Sequence, residues 1–123
     1  MTVNEALRGA ILPLVPVCEP DRYDGDAKEY CTFVYDDQPE VFAEGRPHCI
    51  RQLVVLNWYA PRDMDPLQKK RQICRALKNA GFTWPYVQNA TDGAGYANPF
   101  TQASTNTLVQ HFIFECEWAD GDV

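Results

Sequence analysis

Apolar and polar positions along the chain sort into extended and helical runs. The clearest extended run is Ile50 to Tyr59, rich in β-branched and aromatic residues and followed by Pro61. Gln52, Val54, Leu56 and Trp58 alternate with Leu53, Val55, Asn57 and Tyr59. Both sets are mostly apolar, so neither is a plain solvent face. Tyr30 to Tyr35 is a second strand by composition. Phe82 to Val87 is apolar and extended, with Pro85 holding Trp84 out of helical geometry. Within it Phe82, Trp84 and Tyr86 read as core. The last strand, Leu108 to Trp118, points Phe112, Phe114, Cys116 and Trp118 one way. His111, Ile113, Glu115 and Glu117 point the other, wetter way.

Two stretches carry helical spacing. Val3, Ala6, Leu7, Ala10, Ile11 and Leu14 form one apolar stripe. Thr2 and Glu5 make a capping box ahead of it, and Pro13 and Pro16 keep it short. The second helix starts at Asp65 as N-cap and Pro66 as first helical residue. Leu67, Ile73, Cys74, Ala76, Leu77 and Ala80 fall on one side of it. Gln68, Arg71, Gln72, Arg75, Lys78 and Asn79 fall on the other, and Gly81 supplies a left-handed stop.

The order helix, strand, strand, helix, strand, strand predicts an α+β domain. Its sheet is expected to be mainly antiparallel, with both helices on one face. All 123 residues fit one domain. Tyr30 to Tyr59 reads as a long β-hairpin with an irregular, protruding tip at Gln38 to Pro47, where Val41 and Phe42 are apolar. Val17 to Glu29 reads as an acidic linker. Its Asp24-Gly25-Asp26 lacks the spacing of a calcium loop and reads as a turn. Asp92 to Asn106 is rich in small and polar residues, a loop long enough to be a functional arm or disordered. Two short helices cover only one face of such a sheet. The apolar second face therefore calls for another cover, and a further copy of the chain is the simplest one.

Composition narrows the function classes. A hydrophobic fraction of 46% argues for a folded core rather than disorder. No apolar run approaches the ~20 residues that span a bilayer. The N-terminus has no signal-peptide pattern. Cys18, Cys31, Cys49, Cys74 and Cys116 never fall as C-x-x-C, which suggests a reduced intracellular compartment and thiols used as small buried hydrophobes.

A net charge of −6 speaks against gripping nucleic acid as the main task. The charge is split. Glu19 to Glu44 holds nine acids and two bases, whereas Pro66 to Gly81 holds five bases (Lys69, Lys70, Arg71, Arg75, Lys78) and no acid. The bland reading is a solvated helix face. The sharper one is that this helix meets the acidic region of a neighbouring copy.

Catalytic patterns are missing. His48 with Cys49 and Cys31 lacks usual metal-ligand spacing. Ser104 lacks the G-x-S-x-G turn that would pair it with His111 as a nucleophile. Asp36, Asp37, Asp63 and Asp65 stand beside turns and caps, where acids are commonplace. No phosphate-cradling glycine loop occurs. The expectation is a protein that is not an enzyme and uses no metal and no cofactor.

Several segments together resemble the small tail-terminator or tail-completion proteins of long-tailed phages and prophages. They are the first helix running into Pro13-Leu14-Val15-Pro16-Val17, then Tyr30-Cys31-Thr32-Phe33-Val34-Tyr35, and Leu53-Val54-Val55-Leu56 leading to Tyr59-Ala60-Pro61. The likeness continues in Ala80-Gly81-Phe82-Thr83-Trp84-Pro85 and in Gln110 to Glu117. It spans nearly the whole chain, and its motifs are structural rather than catalytic. It implies an α+β protomer that forms a ring, commonly a hexamer, on the end of the tail tube. Such a ring stops tube growth and docks to head-tail connector proteins, with DNA only passing through the lumen and no membrane involved. It implies a virion location after assembly in the host cytoplasm. The contact surfaces expected on this basis are the tip residues Gln38, Val41, Phe42, Glu44 and Arg46, and the helix face Arg71, Arg75 and Lys78. The Asp92 to Asn106 loop is longer than such proteins require. Alternatives are another head-tail connector or minor tail component, or a small cytosolic binding module.

Overall fold

The computed structural model describes residues 2–43, 46–91 and 109–120; side chains at 39–49 and 119–120 lie outside that description. The elements are α1 (Val3–Ile11), β1 (Cys18–Pro20), β2 (Tyr30–Ala43), β3 (Arg46–Pro61), α2 (Pro66–Asn79), β4 (Tyr86–Asn89) and β5 (Val109–Asp120). The strands form one sheet in the order β1-β2-β3-β5-β4. The pairs β2–β3, β3–β5 and β4–β5 are antiparallel, while β1–β2 is parallel. The fold is thus α+β with a mixed sheet and two helices.

β1 corrects the expected element order. Val17 to Glu29 is not wholly a linker, because Cys18 to Pro20 pairs with Cys31 to Phe33. Three residues, one of them proline, are too few to carry an alternating pattern. Backbone bonds hold the strand at both ends. Cys31 N donates to Val17 O at 2.8 Å, and Asp21 N donates to Phe33 O at 2.9 Å. Asp21 then takes φ 65, the left-handed region that aspartate tolerates, and turns the chain away.

Register builds the core in rows. Cys31, Trp58 and Phe112 align across β2, β3 and β5, as do Phe33, Leu56 and Phe114. All six are buried, and all share one side of the sheet. Leu7 and Ile11 of α1 and Ile73 and Leu77 of α2 complete the same cluster at 0% exposure. Each such side chain contributes about 1.5–3 kcal/mol by leaving water. Both helices therefore lie on one face, as their apolar stripes require.

The helix ends follow local chemistry. Thr2 Oγ1 accepts from Glu5 N at 3.2 Å, and Asp65 Oδ1 accepts from Leu67 N at 3.0 Å. Gly81 at φ 103 reverses α2, and Phe82 N closes the turn on Leu77 O at 3.0 Å.

Some apolar assignments fail. Leu67 is 48% exposed instead of joining Ile73 and Leu77. Periodicity states which side of a helix faces inward, not how far the sheet reaches along it. Of the expected core residues Phe82, Trp84 and Tyr86, only Phe82 is buried, while Trp84 and Tyr86 are 57% and 64% exposed. The β4 register explains Tyr86. Val87 pairs with core-facing Phe114, so Tyr86, opposite Glu115, faces away from the helices. The loop expected at Asp92 to Asn106 lies outside the described residues.

Candidate interaction surface

The sheet face opposite the helices carries the chain's distinctive surface chemistry. Its rows are Tyr30–Tyr59–His111, Thr32–Asn57–Ile113–Gln88, Val34–Val55–Glu115–Tyr86 and Asp36–Leu53–Glu117. Leu53, Val55 and Ile113 are half-buried, and Val34 is 45% exposed. Among the described residues no second layer covers this face.

One end of it is aromatic. Tyr30 stacks on Tyr59 at 4.8 Å between ring centroids, and Tyr59 stacks on His111 at 4.2 Å. The His111 ring is also fixed edge-on, with Nε2 2.9 Å from Asn57 Oδ1. Burial, and then Tyr23 in the case of Tyr30 and Tyr30 in the case of Tyr59, push these two hydroxyls above their ordinary pKa. His111 is thus a member of a cross-strand stack; Ser104, its conceivable catalytic companion, lies outside the described residues.

The other end is a groove of ≈ 520 Å³, open to solvent and bounded by the Thr83–Tyr86 segment. Val34, Leu53 and Val55 supply its floor, and Trp84 and Tyr86 stand along it. Its charged lining among the described residues is Asp36, Glu115 and Glu117, with no base. Arg51 approaches from outside the lining, its Nε 3.6 Å from Glu117 Oε2. A second cavity of ≈ 490 Å³ lies near Tyr30, Pro61, Arg62, Asp63 and Val109.

On the helix side the five bases of α2 divide by role. Lys69 turns inward, donating to Leu14 O and standing 3.5 Å from Glu29 Oε2. Glu29 also accepts from Trp58 Nε1 at 3.0 Å. Within one chain, then, an acid of the 19–44 region already holds one base of α2. Lys70 lies over the Phe112 ring at 4.8 Å. Arg71, Arg75 and Lys78 are exposed and form no ion pair among the described residues.

Gln38 is exposed on β2, opposite Arg51. Val41, Phe42 and Arg46 lie in the paired strands, but their side chains fall outside the described set, as does all of Glu44. The structure thus brings Arg71, Arg75 and Lys78 onto one helix stripe, on the opposite side of the sheet from the groove.

Four of the five thiols are core, and the Cys49 side chain lies outside the described residues. Cys18, Cys31, Cys74 and Cys116 are free and buried. Burial pushes Cys18 and Cys116 up to about 12 and raises Cys31 and Cys74 as well. Such thiols stay protonated and inert at neutral pH. Among the described residues no group of three His, Cys, Asp or Glu side chains is arranged to hold a metal ion.

No protein-family model and no curated protein matches the chain. Its surface chemistry therefore has to carry the functional reading. Sequence reasoning missed the groove. The alternation in β5 did put Glu115 and Glu117 on the wetter face, but nothing marked Trp84 and Tyr86 as its wall.

Proposed function

We propose that this chain is a structural subunit of a phage or prophage tail, acting as a tail terminator. In this reading copies assemble into a ring, commonly of six, that caps the tail tube and joins it to the head-tail connector. The ring sits in the virion, assembled in the host cytoplasm, and DNA only passes through it. The tip of the β2–β3 hairpin serves here as a contact arm. It offers Gln38, Val41, Phe42, Glu44 and Arg46, while α2 offers Arg71, Arg75 and Lys78.

The observation that carries this reading is a sheet face that no second layer covers among the described residues. Val34, Trp84 and Tyr86 are 45%, 57% and 64% exposed on a protein whose opposite face is dry. Apolar side chains clustered in this way mark a surface meant to be covered. The net charge of −6 also suits a ring around DNA, because an acidic lumen repels phosphate rather than trapping it.

Light scattering at low and moderate salt, with and without the tail-tube protein, tests the proposal. The expected result is a discrete oligomer, or a complex with the tube protein. A monomer that ignores the tube protein in every condition overturns it. The competing reading, a small binding module, draws on the ≈ 490 Å³ cavity beside Tyr30 and Val109. It predicts instead a monomer whose melting temperature rises with a small ligand.

A further inference from the structure

We infer that α2 of one copy docks in the open-face groove of the next, a head-to-tail contact led by charge. The inference rests on the reading of the chain as a repeated subunit. It adds which surfaces meet and in what sense they are oriented.

The charges fit in kind. Arg71, Arg75 and Lys78 are exposed without ion pairs among the described residues, and α2 contains no acid. Among the described residues the groove lining holds Asp36, Glu115 and Glu117 and no base. Among the described residues Glu117 pairs with Arg51, at 3.6 Å, and Asp36 and Glu115 form no ion pair.

The charges also fit in spacing. Arg71, Arg75 and Lys78 follow one another at four and three residues, so they form a single stripe about 10 Å long at 1.5 Å rise per residue. Glu115 and Glu117 stand two residues apart on β5, about 7 Å. Asp36 and Glu117 both pair with Leu53, from either side, which sets them two strand spacings or about 10 Å apart. An acidic patch about 7 by 10 Å therefore faces a basic stripe of matching length.

Apolar surface adds to the match. Exposed Leu67, four residues ahead of Arg71, continues the stripe toward a groove floored by Val34 and Val55. The partner this surface fits is thus another α2, an amphipathic basic helix laid across an acidic apolar groove.

Orientation follows from the fold. α2 packs on one face of the sheet, and the groove lies on the other. A copy cannot give its helix to the same neighbour that gives its helix back. The contact is heterologous, and repeated copies close into a ring or run on as a filament.

Charge reversal tests this on the full chain. Arg71→Glu with Arg75→Glu makes the helix acidic; Glu115→Lys with Glu117→Lys makes the groove basic. All four positions sit on exposed or half-exposed surface, and circular dichroism checks that each variant folds. Each double variant alone should self-associate about 10-fold more weakly than wild type, or worse. Their equimolar mixture should recover association, because every helix then finds a groove of opposite sign. If a reversed chain fails to fold, the neutral pair Arg71→Gln and Arg75→Gln and a salt titration of the wild type take its place. Both should weaken association. A wild type that associates while the variants match it, or a mixture that recovers nothing, overturns this contact and leaves the subunit reading intact. A wild type that stays monomeric throughout, with or without tube protein, overturns both.

Discussion

Trp58 Nε1 donates to Glu29 Oε2 at 3.0 Å, joining the centre of β3 to a segment 29 residues earlier. The same carboxylate stands 3.5 Å from Lys69 Nζ, and Lys69 in turn donates to Leu14 O. One acid thus ties the 21–29 segment, the sheet and α2 together, and through Lys69 the end of α1. Its side chain is only 14% exposed, so the partners lose little to solvent screening. Glu29→Ala strands a half-buried ammonium and an indole N–H, and should cost about 3 kcal/mol. Glu29→Gln keeps an acceptor for Trp58 and should cost about half as much. Urea unfolding of both variants checks the order; equal midpoints for wild type and Glu29→Ala refute the tie.

Alkaline pH should unfold the protein early. Burial holds Cys18 and Cys116 near 12, against an ordinary value of 9.0. Below pH 9 both the folded and unfolded chains keep these protons, and stability does not depend on them. As pH rises from about 9 toward 12, the unfolded chain releases them and the folded chain does not. Stability then falls, by up to ~1.4 kcal/mol per pH unit for each thiol. The raised Tyr30 and Tyr59 hydroxyls act in the same direction from about pH 10. Urea midpoints at pH 8 and pH 10 should therefore differ, with the lower value at pH 10. A thiol reagent at pH 8 should label the buried cysteines only after denaturant is added.

How much of this was legible depended on pattern length. The alternation over β5 identifies its core face residue by residue, because the strand is long enough for period two to be unmistakable. By contrast β3, apolar on both faces, is legible as a strand but not as to which face is core. The Asp65–Pro66 start and Gly81 stop of α2 are readable because caps are local chemistry. β1 was not readable: Cys18 to Pro20 is a strand only because Cys31 to Phe33 lies beside it. Trp84 and Tyr86 were misread for a related reason. Their aromatic character states that they prefer cover, while pairing with β5 decides which side of the sheet they reach. The basic stripe of α2 was legible from spacing alone. The acidic groove was not, since Asp36 and Glu117 come into one row only through register across β3.

Gly81 is a position where glycine is required by conformation rather than by space. Its φ is +103, and a Cβ built there would stand 3.4 Å from Trp118 Nε1, a close but tolerable contact. The penalty for Gly81→Ala is therefore the backbone's, about 1–2 kcal/mol. Gly81→Asn should cost less, because asparagine enters the left-handed region more readily. Thermal unfolding of the two variants should rank them wild type, Asn, Ala. A more stable alanine variant would mean that α2 ends some other way.

Trp84 and Tyr86 separate stability from association. Both are more than half exposed, so replacing them removes little from the core. Trp84→Ser with Tyr86→Ser should leave the unfolding free energy of the isolated chain within about 0.5 kcal/mol of wild type. Aromatic side chains of this size dominate contact surfaces when they are covered by a partner, at about 2 kcal/mol or more each. Self-association of the double variant should therefore weaken by roughly 30-fold or more, the equivalent of one such anchor. Sedimentation velocity over a concentration series reads the second quantity, and denaturation at a single low concentration reads the first. Loss of both together would mean that these rings brace their own domain, and the open face would then lose its strongest claim to be a contact surface.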